Sequence, residues 1–218
     1  MKLGLNDKEY NVKIIKKITT KNTYIRVKED FTIVVTTNTF TSDKKILDII
    51  NENTKSIEGM LKKVERKMEY DSCFYYLGKK YDIVYINSSN IEFGDTKVFI
   101  GKNVDVEKVL KKHACILFKQ RLDLIYSNFS RRIPYPDLTI RKMKSRWGVC
   151  NTKTKRVTLN LELIKKDIKC LDYVIVHELA HLICADHSKN FWSVVEENFK
   201  DYKKIRKQMK EYWFYSII

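Results

Sequence analysis

The 218-residue chain has little in it to interrupt regular structure: two prolines, Pro134 and Pro136, and six glycines. The glycines are scattered, so no glycine-rich loop of the kind that cradles phosphates is present. No linker, internal repeat or low-complexity tract breaks the sequence. Cysteines number five, an odd count with no Cys-x-x-Cys pair. That argues against both a disulfide framework and a thiolate zinc site. No apolar run reaches the roughly 18–20 residues of a membrane-spanning helix. Residues 1–9 turn polar too soon for a secretory signal. These absences lead us to expect a soluble, cytoplasmic protein with no membrane partner. Acidic residues are also in deficit, 27 against 43 basic ones, for a net charge of +16. Such a surface attracts polyanions and supports weak nucleic-acid or nucleotide binding. The joint abundance of Lys, Ile and Asn points instead to A/T-biased coding as the main source of that charge.

With 44% hydrophobic residues the chain can bury a real core, as one large domain or two small ones. Residues 10–36 read as strands. Val12, Ile14 and Ile18 form one short pattern, and Tyr24–Val27 and residues 31–35 are rich in β-branched and aromatic side chains. From residue 42 to 68 the apolar spacing changes to three and four. Ile46, Ile50, Ile57 and Leu61 mark an amphipathic helix or a broken pair, capped by Ser42 or Asp43. Strands return at 74–77, 81–86 and 97–100. A long helix over 106–129 follows, with Leu110, Ala114, Phe118 and Leu122 on one face. Short strands at 138–143, 147–151 and 156–160 precede helices at 161–166, 171–184, 188–200 and 202–213. The expected fold class is α+β, with a strand-rich α/β region and one long helix at 1–102 and a catalytic region at 103–218. The two are read as separate domains or as one continuous domain.

The chemistry is concentrated in His177-Glu178-Leu179-Ala180-His181. On a helix, residues four apart lie on one face, so both imidazoles reach a single zinc ion at about 2.0–2.1 Å. Glu178 projects beside them and is placed to take a proton from a water without ligating the metal. A scrambled chain of this composition would carry the motif with a probability of roughly 0.4%, so coincidence is a poor account of it. Ile175, Leu179 and Leu182 form an apolar stripe for the core, and Asp172 suits a first helical turn. A hydrolytic zinc site keeps three protein ligands and an open position. The third ligand is His187, six residues past His181, or else Glu196 or Glu197 on the next helix. Asp186 is suited to a left-handed turn before His187, and Ser188 to the cap of the following helix. Cys184 reads as an apolar filler, and His113 as a partly exposed helix residue.

These residues and their flanks resemble the YgjP-like metallopeptidase family, within the zincin superfamily. The segments are Lys144-Ser145-Arg146-Trp147-Gly148-Val149-Cys150, Val157-Thr158-Leu159-Asn160, the helix around His177, and His187-Ser188-x-x-Phe191-Trp192. The resemblance implies a zincin-like catalytic domain with zinc on His177, His181 and His187 and with Glu178 as general base. It supplies no substrate; a peptide or protein is expected. By physics alone, Arg156–Asn160 is the candidate strand for pairing with an extended peptide. Asn160 is a tentative substrate donor or a helix cap. Arg146 is an oxyanion stabiliser or a structural ion-pair partner. Trp147, Phe191 and Trp192 read as packing residues. The basic set Arg131, Arg132, Arg141, Lys142, Lys144 and Arg146 suits a second reading, hydrolysis of nucleotide phosphoanhydrides. A third reading is a nucleic-acid-associated protein with a structural zinc.

Overall fold

The computed structural model describes residues 1–216, and it divides into two compact units, Met1–Ser72 and Cys73–Ile218. The fold is α+β, with strands and helices segregated along the chain. No helix among the described residues is long and apolar enough to cross a membrane.

In the first unit, β1 (Lys2–Leu5) and β2 (Lys8–Lys16) form a hairpin. Its two turn residues, Asn6 and Asp7, both have positive φ, 49° and 60°. This left-handed pair matches the natural twist of the strands it joins. β4 (Ile33–Thr37) runs parallel to β2, and β3 (Tyr24–Val27) runs antiparallel to β4, giving the order β1-β2-β4-β3. Ile18 lies past the end of β2 and is 78% exposed, outside the strand pattern expected of it. The helical segment is a broken pair, α1 (Asp43–Glu52) and α2 (Thr54–Asp71). Ser42 caps α1 by accepting from the Lys45 N–H. Asn53 and Thr54 turn their side chains onto carbonyls of Ile49 and Asn51, a local competition that favours a break. Val12, Ile33 and Val35 pack with Ile46, Ile50, Ile57 and Leu61 as the core of this unit.

The second unit opens with a sheet ordered β5-β6-β8-β7: β5 (Phe74–Tyr76), β6 (Lys79–Ile86), β7 (Ile91–Phe93) and β8 (Lys97–Gly101). α3 (Val106–Ser127) follows, capped by Asp105. Then come β9 (Asp137–Arg141), β10 (Gly148–Asn151) and β11 (Arg156–Asn160), arranged β10-β11-β9. A 3-10 turn, Leu161–Lys165, leads to α4 (Ile168–Ala180), α5 (Lys189–Asn198) and α6 (Tyr202–Ser216). The division at Ser72/Cys73 corrects the boundary expected near residue 102. Strands β5–β8 share one core with the helices: Phe74, Val98 and Ile100 join Leu110, Phe118, Leu122, Leu171 and Ile175. The β5–β6 hairpin tip is fixed to the 3-10 turn by main-chain bonds, Leu77 N–H to the Ile164 carbonyl (2.9 Å) and Gly78 N–H to that of Lys165 (3.3 Å). Each fully buried large apolar side chain in this core contributes about 1.5–3 kcal/mol.

Candidate active site

α4 is a core helix, with ten of its thirteen residues buried. It starts at Ile168, one turn earlier than the sequence reading, because Asp167 caps it by accepting from the Lys169 N–H at 2.8 Å. Asp172 therefore sits in the second turn, not the first. There it accepts two hydrogen bonds from the Arg121 guanidinium of α3, both 2.7 Å, which ties the helix to its neighbour.

His177 and His181 lie one above the other at the C-terminal end of α4, where His181 is the cap residue. The chain turns through Leu182, Ile183 and Cys184, whose N–H groups return to Leu179 and Ala180 carbonyls. It brings His187 back so that its Nε2 lies 3.2 Å from Nε2 of His177. Asp186 is not among the left-handed residues; its carboxylate instead accepts from the Ser188 N–H. One nitrogen from each of the three histidines falls within a set no more than 4.8 Å across, the only such group of three metal-binding side chains among the described residues. His181 Nδ1 lies 3.2 Å from the Cys184 carbonyl. A proton held there leaves Nε2 with its lone pair free. Burial, helped by His181 and His187 alongside, pushes His177 down to about 3, so its imidazole is neutral, the form a metal ligand needs.

The rival ligands lie elsewhere. Glu197 accepts from Arg131 at 2.7 and 3.1 Å and from Ser130, and Glu196 faces Lys203 at 3.6 Å. Cys184 accepts from Asn190 and is not in the cluster. His113 is on α3 against the Tyr76 hydroxyl.

Phe191 and Trp192 pack, as expected, but on the histidines. Phe191 is fully buried, with its ring 4.6–4.9 Å from the centres of all three imidazoles. Trp192 stacks on His187 at 5.7 Å and on Tyr202 at 5.5 Å, with the Arg206 guanidinium 4.4 Å from its ring centre. Ser188 caps α5, as the sequence implies, by accepting from the Phe191 N–H.

Glu178 is 5% exposed and stands apart from the histidine cluster, beside β10. Burial lifts its carboxylate to about 8, against the opposing pull of the Arg146 charge and of the Cys150 main-chain N–H. Arg146 itself is exposed.

One strand-level expectation is corrected, and of the two roles read for Asn160 the structure shows the cap. β11 (Arg156–Asn160) pairs with β10 on one side and β9 on the other, so its main chain has no free edge for a peptide. Asn160 is 2% exposed, and its amide is fully used. Nδ2 donates to the Met143 and Arg146 carbonyls at 2.8 Å, and Oδ1 accepts from Met143 and Glu162 N–H groups at 3.2 Å. It caps the 3-10 turn and pins the segment before β10, which leaves nothing to offer a substrate. The basic set is also divided, since Arg131 is engaged by Glu197 and Lys142 donates to Glu107 at 2.9 Å.

The sequence reading missed Gly148 as a contact of Glu178. A glycine inside a strand is a signal of close approach by another group.

A family model described as the YgjP-like metallopeptidase domain matches residues 21–212. Two solved structures of archaeal metallopeptidase zymogens show partial likeness. Abylysin of Pyrococcus abyssi is 23% identical, over 46% of this chain and 99% of that one, with a TM-score of 0.41. Jannalysin of Methanocaldococcus jannaschii is 24% identical, over 43% and 94%, with a TM-score of 0.37. No curated protein matches the sequence.

Proposed function

The chain belongs to the YgjP-like metallopeptidase family, a class of hydrolases that implies a divalent metal, and from that premise we propose that it hydrolyses peptide bonds with a zinc ion held by His177, His181 and His187. One observation carries this reading: three imidazole nitrogens converge, while the adjacent Glu178 carboxylate is held out of their cluster. Three nitrogen donors match the ligand number of an open, catalytic zinc site rather than a closed structural one. When bound, zinc supplies Lewis acidity toward a carbonyl oxygen and lowers the pKa of a water molecule to about 7.

The protein's own groups do the rest. Glu178 accepts a proton from water on a carboxylate oxygen and passes it to the leaving amine. Arg146, on the exposed side of Glu178, offers its guanidinium to negative charge developing on the scissile carbonyl. Phe191 and Trp192 hold the imidazoles in place and exclude water from behind them.

The test is hydrolysis of casein and quenched fluorescent peptides by the zinc-loaded protein, with Glu178→Gln as the blank and elemental analysis of both. Glu178→Gln retains zinc and lowers turnover by about 10²–10⁴, the usual worth of a general base. An equal rate in both proteins, or no zinc in either, would sink the reading.

A further inference from the structure

Among the groups around Glu178, one has no role in the chemistry above. β10 pairs with β11 on one side only. The Asn160 N–H bonds the Trp147 carbonyl at 2.9 Å, and Gly148 stands opposite Leu159. Antiparallel pairing alternates, so Val149 and Asn151 face β11 while Gly148 and Cys150 turn their main-chain groups to the outer edge. Both outward positions meet Glu178. The Cys150 N–H acts on its carboxylate from this edge and favours the charged form. A Cβ at Gly148 would lie 2.5 Å from Oε1, 2.7 Å from Cγ and 2.8 Å from Cδ of Glu178.

We propose that Gly148 is a positioning residue. Its lack of a side chain opens the slot in which the Cys150 N–H seats the Glu178 carboxylate, and that seat sets where the proton acceptor lies. The role assigned to Glu178 rests on the function proposed above; the seat itself does not. Gly148 does not have a left-handed φ, so alanine fits the backbone there. The three nearest atoms all belong to the one Glu178 side chain, which relieves the clash by swinging off the Cys150 amide. The expected result of Gly148→Ala is therefore a displaced carboxylate in an intact fold.

The test uses the full chain and three variants: Gly148→Ala, Glu178→Asp and the two combined. Amide hydrogen exchange at Cys150, read by NMR on metal-free and zinc-loaded protein, reports the seat without reference to activity. Gly148→Ala lowers protection at Cys150 by about twofold to tenfold, the worth of a single hydrogen bond. Zinc content stays unchanged. Turnover on the quenched peptide falls by about 10²-fold, the effect of misplacing a reacting group by an ångström. In the Glu178→Asp background the carboxylate ends one methylene short, so Gly148→Ala costs nothing further. Equal penalties in the two backgrounds, or unchanged exchange at Cys150, would overturn the proposal. If the parent protein cleaves no peptide, the exchange data still decide the seat while the proposed function falls.

Discussion

Replacing Asp172 tests whether the helix that carries His177 and Glu178 is held in place by a single ion pair. Arg121 Nε and one terminal nitrogen each donate to a separate Asp172 oxygen at 2.7 Å, across 51 residues of chain. Two charge-assisted bonds, each worth about 1.5–3 kcal/mol, set the gross scale. Removing one member of a fully buried pair costs about 3–5 kcal/mol, because the other charge is stranded. Here the Arg121 side chain is 28% exposed against 12% for Asp172, so the guanidinium regains part of its hydration. The expected loss for Asp172→Ala is therefore about 2–3 kcal/mol, below the buried limit. Arg121→Met keeps the apolar stem, and the double variant closes the cycle, with an expected coupling of about 1.5 kcal/mol or more. Urea unfolding followed by tryptophan fluorescence is the suitable assay. Trp147, Trp192 and Trp213 are the chain's three tryptophans, and all fall in the Cys73–Ile218 unit, so the signal reports that unit alone. A coupling below about 0.5 kcal/mol, the range of exposed surface pairs, would refute the reasoning.

Zinc retention separates the candidate ligands: His187→Ala loses metal on dialysis, whereas Glu197→Ala, which frees Arg131, Ser130 and Ser193, keeps it, and the reverse pattern would move the third ligand to α5. Burial lifts the Cys170 thiol from 9.0 to about 12, so the folded chain keeps its proton where the unfolded chain gives it up. That contribution to stability is whole below about pH 9 and is lost as pH rises toward 12. Urea midpoints between pH 8 and 10.5 should thus fall less steeply in Cys170→Ala, and parallel slopes would contradict this. The compositional reading of the +16 charge expects duplex DNA binding to be nearly gone at about 0.15 M salt; tight binding there, measured by fluorescence anisotropy, would overturn it.

The histidine pair was legible because its logic is local: four residues of helix bring His177 and His181 together whatever surrounds them. His187 was legible for a similar reason, since a six-residue return after His181 is short enough to close on itself. The α3 face was equally plain, and Leu110, Ala114, Phe118 and Leu122 are buried as its spacing required. What could not be read was long-range. That β11 lies between β10 and β9 depends on a parallel pairing of Arg156–Asn160 with Asp137–Arg141, and nothing in either segment announces its neighbour. The placing of β5–β8 with the catalytic helices turns on contacts such as Leu77 to Ile164, far apart in sequence. β1 was missed because four residues with one buried side chain give almost no pattern. Arg121 and Asp172 carried opposite charges like dozens of other residues, and only the packing of α3 on α4 singles them out.

Asn160 fastens both ends of a short span, Met143 and Arg146, from beneath. Between those knots Lys144 and Ser145 are exposed. Such an arrangement decouples a rim from its foundation. Substitutions at the two loose positions can accumulate at low cost without shifting β10. Asn160 has no such freedom, since an exchange there would release the span at both ends at once.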